Sequence, residues 1–385
     1  MSATSSLIID TDTHVGPTVE TLKKHASATL LRRWSELEPY FQAVTEGGHQ
    51  LSINPIPYRR RFGLQGSDES GVKGGVNPLK GNVTAKLDVP VAPDVNNENP
   101  GGRLLDMDRE GVDIHVIIPG TFVNAISALE LDLAKEVYEA YHRFIAWYCS
   151  TDPTRLRATV PVCAADPDWA ARTIKSLEGE RWVAAATVVL PEGLPADDES
   201  VNPVWSAMGD ADLPLLHHSF FYEPPYFPGY RDVWGNIVIA RAAAHPWGAE
   251  RLVGYLALSG LFDRFPRLRV GFAECSAGWL PGWLVRLQGQ ADYMRAAVPD
   301  LRSTPLEYAQ DGRIFCGIEL YEGEAMAAAI VRVCGDGVLM YQSDYPHPGC
   351  DFPNSPDTIR GWSALGAETI AKILGGNASR YLRLA

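Results

Sequence analysis

Eight short apolar runs, separated by longer stretches of helical periodicity, constrain the fold of this 385-residue chain most strongly. Most of the runs are rich in Val, Ile, Leu and Ala without strict alternation, as is typical of parallel strands covered on both faces. Alternating strands and helices predict an α/β fold, and eight such units predict a (β/α)8 or TIM barrel. The runs are 7–14, 113–120, 156–162, 184–191, 213–219, 269–275, 314–320 and 338–346.

The segment 16–103 interrupts this pattern after the first run. It is rich in Gly, Pro and Asn and contains one stretch with helical character, 19–41. Structureless connections of this length are uncommon inside a compact domain. We therefore predict a single (β/α)8 domain over 1–385, with 16–103 inserted as a long excursion that serves as a lid or as an oligomer interface.

The charge balance argues against several classes of partner. The chain has 34 Lys and Arg against 47 Asp and Glu, a formal net charge of −13, whereas a nucleic-acid-binding surface needs a surplus of cations. No window approaches 18 uninterrupted apolar residues, and 1–14 lacks the basic and apolar regions of a signal peptide. We expect a cytoplasmic protein with neither a nucleic acid nor a membrane as its partner.

Ligand-type side chains stand at the ends of several predicted strands. The active site of a (β/α)8 barrel lies at the carboxyl ends of its strands. Asp12 and His14 end the first run, and their spacing places both side chains on one face of a strand. Glu274 lies in an apolar run, where an unpaired carboxylate is costly unless it binds a cation or becomes neutral. The other candidates of this kind are His217, His218, Asp344 and His347.

Taken singly, each of these residues has a structural explanation. An Asp-x-His pair is more often a cap or a turn than a metal site, and a single strand histidine is often a core residue. His217 and His218 are adjacent, so their side chains point to opposite faces and only one of them can face the barrel mouth. The coincidence of several such strand ends nevertheless favours a bound metal.

Six stretches of the sequence carry a family resemblance: DTDTH (10–14), LLDMDREGVDIHVIIP (104–119), LPLLHHS (213–219), the segment 259–287, QSDYPHP (342–348) and GGNASRYLRL (375–384). They resemble the amidohydrolase superfamily, in its amidohydrolase-related branch with the aminocarboxymuconate-semialdehyde and γ-resorcylate decarboxylases. The resemblance implies an amidohydrolase-like barrel with a divalent metal. It also implies that Asp12, His14 and His218 are metal ligands and that Asp344 is a ligand or general base.

The chain departs from the family pattern in a way that bears on the metal. Asp12 stands where many members have His and related decarboxylases use Glu, and Glu274 stands where a sixth-strand His is usual. Carboxylates mixed with imidazoles favour iron or manganese over zinc. Six potential ligands, with His347 in reserve, exceed the need of one catalytic ion. We therefore expect two ions, Fe/Fe or Fe/Mn, with one Zn or Mn ion as the alternative.

Three functional hypotheses follow. This ligand set is similar to that of non-haem di-metal oxygenases with this fold, so the first hypothesis is a monooxygenase, an oxidoreductase that hydroxylates a small organic substrate. The alternative is a mononuclear metal-dependent decarboxylase or hydrolase in which Asp344 acts as the base. In the first hypothesis His347 either ligates metal or handles protons. The third hypothesis is a non-catalytic subunit that keeps the fold, which the intact ligand set disfavours.

The substrate and the partners are predicted only in outline. An aromatic loop follows the fifth-strand histidines, and a histidine precedes Pro246 further along the chain. Their positions near the barrel mouth suggest the wall of a pocket for a small molecule. The long excursion predicts a homodimer or a hetero-oligomer with a related subunit. The expected pocket residues are Phe220, Phe221, Tyr222 and His245.

Overall fold

The computed structural model of the chain describes residues 7–43, 48–53, 89–191, 193–219, 237–347 and 350–384. Eight parallel strands form one sheet, in which each strand pairs with the next along the chain. Residues beyond the last strand pair back onto the first, because His14 N–H donates to the Tyr345 carbonyl at 2.7 Å and Asp344 N–H donates to the Asp12 carbonyl at 3.0 Å. The predicted (β/α)8 barrel is confirmed.

The elements follow the predicted order, and all eight predicted strands are present. The strands are β1 Ile9–His14, β2 Phe41–Ala43, β3 His49–Leu51, β4 Ile114–Ile118, β5 Leu156–Cys163, β6 Val183–Val189, β7 Leu215–His218, β8 Val270–Ala273, β9 Ile314–Ile318 and β10 Leu339–Tyr341. The barrel consists of β1 and β4 to β10, while β2 and β3 form a separate antiparallel pair.

Helices connect the barrel strands and also occupy the described parts of the excursion. The α-helices are α1 Val19–Lys24, α2 Ala28–Arg32, α3 Pro100–Glu110, α4 Leu131–Cys149, α5 Pro167–Ser176, α6 Asn202–Asp210, α7 Ile237–Leu258, α8 Leu261–Arg264, α9 Leu280–Tyr293, α10 Pro305–Gln310, α11 Gly323–Cys334, α12 Ser355–Arg360, α13 Ala367–Ala371 and α14 Asn377–Leu382.

The strand runs lack polar alternation because both of their faces are buried. One set of side chains fills the barrel interior, including Ile9, Val116, Leu216, Phe315 and Met340. The opposite set packs under the surrounding helices, including Ile117, Leu215, Val270, Cys316 and Leu339. Two hydrophobic layers therefore hold each strand, which is the usual arrangement of a parallel sheet.

The excursion is more broken than its sequence suggests. The stretch 19–41 contains α1, α2 and a 3-10 turn, Trp34–Tyr40, instead of one continuous helical piece. Thr18 and Ser27 cap the two short helices with their side-chain oxygens, which explains why each starts anew. The arginine run 59–61 lies outside the described residues. Whether the excursion serves as a lid or as an oligomer interface remains a prediction.

Helix α3 ties the end of the excursion to β1. It begins at Pro100, with the Asn99 side chain accepting from Gly102 N–H at 2.8 Å, and Gly111 ends it in the left-handed conformation. From this helix, the fully buried Arg103 donates to the carbonyl of His14 and, at 3.0 Å, to the hydroxyl of Tyr148. Within the described ranges, no helix is long and apolar enough to cross a membrane.

Candidate metal centre

The predicted ligand residues lie together at the carboxyl-terminal mouth of the barrel. Asp12 and His14 belong to β1, and His218 is the last residue of β7. Glu274 follows the last residue of β8, and Asp344 lies three residues after β10. Parallel strands bring all of these ends to one edge, so residues distant in sequence become neighbours.

The distances between these side chains are short. His14 Nε2 lies 3.1 Å from Asp12 Oδ1 and 3.0 Å from Asp344 Oδ1. His218 Nε2 lies 3.5 Å from Asp12 Oδ1 and 3.3 Å from Glu274 Oε2. Two imidazoles and three carboxylates therefore converge on one region.

Within this region two groups have the composition and spacing of metal-ligand sets. One is Asp12, His14 and His218, all buried, and the other is His14, Asp344 and His347. In each group the potential ligand atoms all lie within 4.8 Å of one another. The two groups share His14, so they form one continuous cluster rather than two separate sites.

The buried polar atoms of Asp12 and His14 fit a bound cation. Both carboxylate oxygens of Asp12 and Nε2 of His14 are inaccessible to water, and the 3.1 Å contact between His14 Nε2 and Asp12 Oδ1 does not have hydrogen-bond geometry. Buried polar atoms are rarely left without hydrogen bonds, and each such atom calls for an explanation. A metal ion among them would satisfy all three, so the residues fit the group that the resemblance implies.

The pKa values of the cluster reflect its concentration of negative charge. Burial alone would raise the pKa of Asp12, but the imidazoles of His218 and His14 outweigh it and lower the pKa to about 2. Burial alone would lower the pKa of His14, but its contacts with Asp12 and Asp344 raise it to about 10. The carboxylates of Asp12 and Asp344 therefore favour the cationic form of His14, so the charges around this point favour a cation.

Asp344 and His347 form a pair at the outer side of the cluster. His347 Nδ1 lies 2.6 Å from Asp344 Oδ1, and its ring stacks on that of His14 with centroids 4.3 Å apart. Burial opposes ionisation of Asp344, but His347 and His14 outweigh it and lower its pKa. The side chain of His347 is 48% exposed, so this imidazole connects the buried cluster to solvent.

Surrounding groups fix the orientation of the ligand residues. His218 Nδ1 lies 2.6 Å from the Ser219 carbonyl, which leaves Nε2 facing the cluster, and the Ser219 hydroxyl donates to Glu274 Oε2 at 2.8 Å. A histidine ligand in proteins usually has its second ring nitrogen held in this way.

Glu274 and Asp344 have an unusual backbone conformation. Both are left-handed, with φ angles of 48° and 64°, a conformation that disfavours residues other than glycine by about 1 kcal/mol or more. Residues held in such conformations cluster at functional sites. At both positions the chain leaves a barrel strand and turns sharply, and the acidic side chain stands at the turn.

Sequence reasoning missed Glu319 and Asp10. Glu319 follows β9, and burial, then Asp12, Glu274 and Asp344, raise its pKa well above the ordinary value. It is an acid at the end of an apolar run, the feature that identified Glu274, so the same criterion could have found it. Asp10 accepts at 3.1 Å from the backbone N–H groups of both Asp12 and Ser343, and so braces two ligand-bearing segments.

The predicted pocket residues are only partly described. His245 lies on α7, with Nδ1 3.9 Å from Glu274 Oε1, and so borders the cluster. Phe220, Phe221 and Tyr222 lie outside the described residues. His217, adjacent to His218, faces away from the mouth, with its ring 5.8 Å from that of Phe272.

Comparisons with known proteins agree with this architecture. A family model described as amidohydrolase matches residues 9–384, and no curated protein matches the sequence. The fold is similar to that of 5-carboxyvanillate decarboxylase from Sphingomonas paucimobilis, with a TM-score of 0.66 and 21% identity over 99% of this chain and 100% of that one. At this identity the similarity to a solved structure shows the fold.

Two further similar structures contain manganese. One is 5-carboxyvanillate decarboxylase from Novosphingobium aromaticivorans, complexed with manganese and 4-hydroxy-3-methoxy-5-nitrobenzoic acid (TM-score 0.68, 18% identity, 100% of this chain and 98% of that one). The other is a dihydroxybenzoic acid decarboxylase from a Polaromonas species, with manganese and the inhibitor 2-nitroresorcinol (TM-score 0.63, 17% identity, 98% and 97%). These proteins match the predicted decarboxylase alternative better than the predicted monooxygenase.

Proposed function

Because this chain belongs to the amidohydrolase family, we propose that it is a divalent-metal-dependent decarboxylase of small aromatic carboxylic acids. The observation that carries the proposal is the buried group of Asp12, His14 and His218 at the barrel mouth, whose potential ligand atoms all lie within 4.8 Å of one another. The similar folds are decarboxylases, and two of them contain manganese. Manganese suits a site of mixed carboxylate and imidazole donors.

Asp12, His14, His218 and Asp344 would hold the ion. When bound, a divalent cation draws electron density from a substrate oxygen and stabilises the negative charge that develops during the reaction. The three buried residues exclude water from one side of the site, because Asp12 is fully buried and the two histidines are nearly so. Asp344 stands on the more open side, where a substrate enters.

The chemistry also requires a proton. In the decarboxylation of an aromatic acid, the bond between the ring carbon and the carboxyl group breaks, CO2 leaves, and a proton takes its place on the ring carbon. The hydrogen-bonded pair of His347 Nδ1 and Asp344 Oδ1 holds a proton at the mouth of the site. The exposed part of His347 exchanges it with solvent, so the pair can deliver one proton in each turnover.

A second candidate is the di-metal monooxygenase that the sequence predicted. The overlapping ligand groups around His14, with Glu274 beside His218, provide enough donors for two ions. A carboxylate-rich set of this kind suits iron and manganese. This candidate rests on the ligand set alone, and none of the comparisons supports it.

One experiment separates the two candidates. The protein is stripped with a chelator, reloaded with Mn2+, Zn2+ or Fe2+, and incubated with a panel of hydroxybenzoic acids with and without oxygen. We expect the protein with about one manganese ion per chain to release CO2 whether or not oxygen is present. Asp12→Asn should abolish this activity, whereas His142→Ala, a control variant distant from the site, should retain it. A hydroxylated product that requires oxygen and two ions, at least one of them iron, would refute the decarboxylase and support the monooxygenase.

A further inference from the structure

A cavity of about 240 Å³ lies outside the barrel, between the sheet and the helical layer. One side is formed by β6 and β7 and by the loop after β6. The other is formed by one face of α7, where Gly248, Arg251, Leu252 and Tyr255 recur at helical spacing. Trp205 of α6 contributes a further wall.

The cavity is separate from the candidate metal centre. His217 lines it, whereas His218 lies with Asp12 at the barrel mouth. Successive side chains of a strand point to opposite faces, so β7 itself stands between the two sites. The ring of His217 is 5.8 Å from that of Phe272, which belongs to the core outside the barrel.

The lining is apolar except for a few groups placed to bind an anion. His217 is 8% exposed, and its Nε2 atom is buried with no hydrogen-bond partner among the described residues. A buried nitrogen without a hydrogen bond is unfavourable, so a ligand that supplies one is stabilised there. Arg251 is the one lining residue with a formal charge among those the structure describes.

We propose that this cavity is a second binding site, specific for a small single-ring carboxylic acid. Its volume exceeds the roughly 150 Å³ of a cavity that holds benzene and lies somewhat below the range of larger ligand pockets. The aliphatic and aromatic walls formed by Leu190, Leu252 and Trp205 suit the ring. Arg251 supplies the positive charge that a carboxylate needs, and His217 Nε2 supplies a hydrogen bond.

The first test locates the ligand. Crystals are soaked in 4-iodobenzoate, and the anomalous signal of iodine shows where it binds. We expect a peak in the cavity beside Arg251 and His217, whether or not manganese occupies the barrel mouth. Iodine found only at the barrel mouth, or a cavity that contains water alone at a saturating concentration, would overturn the proposal.

The second test measures affinity in solution. Isothermal titration of the metal-free protein with benzoate, with benzyl alcohol as the uncharged probe, is compared between wild type and variants. Arg251→Gln should weaken benzoate binding roughly tenfold or more, the effect of losing one charge-assisted hydrogen bond. Leu194→Trp should abolish it by filling the cavity, and Arg332→Gln, at an exposed arginine of α11, should leave it unchanged. Equal binding of the two probes, or wild-type affinity in Leu194→Trp, would refute the site.

Discussion

Glu110 offers a test of how burial and charge act together in this fold. It is the last residue of α3 and is 5% exposed, and a carboxylate at the carboxyl end of a helix is disfavoured by the helix dipole. The Tyr341 hydroxyl is 3.4 Å from Oε1, and the Ser355 hydroxyl lies close enough to act on the same carboxyl group. Burial, then the carboxylates of Asp106 and Asp351, raise the pKa of Glu110 from 4.5 to about 7.

This pKa sets the sign and the size of the effect of Glu110→Gln. The folded protein retains a proton that the unfolded chain releases between pH 4.5 and 7, so the free energy of unfolding falls as the pH rises through this window. At about 1.4 kcal/mol for each pH unit, the gap between 4.5 and about 7 corresponds to about 3 kcal/mol. Glutamine cannot ionise, so the variant should be more stable than wild type by about that amount at pH 8 and should differ little at pH 4.5.

The assay is urea denaturation of metal-free protein, followed by tryptophan fluorescence at both pH values. Glu178→Gln is the matched control, because Glu178 is exposed and the same substitution there should change stability little at either pH. An equal difference in the free energy of unfolding between Glu110→Gln and wild type at pH 4.5 and at pH 8 would contradict the raised pKa of Glu110. That result would mean that Glu110 is already ionised at the lower pH or that a cation compensates it.

Three further predictions concern the site and the assembly. Glu274→Gln should lower the metal content, measured by mass spectrometry, more than His142→Ala does. His142 is a residue of α4 whose Nε2 lies 2.9 Å from the Pro161 carbonyl, away from the cluster. Equal metal content in the two variants would remove Glu274 from the site. Arg103→Met should lower the free energy of unfolding by about 2 to 4 kcal/mol and weaken Mn2+ binding in calorimetry, because His14 loses the donor to its carbonyl; unchanged values for both would contradict this role. Light scattering at micromolar concentration should show self-association through the excursion, and a monomer would count against it.

The barrel could be predicted from sequence because its strands are local and repetitive. Most of the eight runs are buried on two faces by apolar side chains, so they are apolar along most of their length and recognisable alone. The excursion could not be predicted in the same way, because its helices are only five or six residues long. Their starts depend on the caps at Thr18 and Ser27 and on packing against α4, which a periodicity argument does not register.

The site could be predicted to the level of residue types at strand ends. That reasoning found Asp12, His14 and His218, because the strand ends of a barrel always meet at one mouth. It could not give the number of ions, because that depends on distances between side chains from different strands. The same argument applies equally to Glu319, which also stands at the end of an apolar run, but that residue was not predicted.

The left-handed backbone at Glu274 and Asp344 is a feature that folding alone does not explain. At a left-handed position just after a strand, glycine is the most favourable residue, because it has no Cβ and adopts this conformation freely. The chain instead places carboxylates there, in a cluster that already contains Asp12 and has a half-buried acid, Glu319, nearby. In metal-free protein the imidazoles of His14 and His347 offset the charge of Asp344, and the Ser219 hydroxyl donates to Glu274, but neither contact requires a carboxylate on a left-handed residue. A bound cation would add a favourable contact for both carboxylates, so we propose a cation-binding role for Glu274 and Asp344, which the metal content of Glu274→Gln tests.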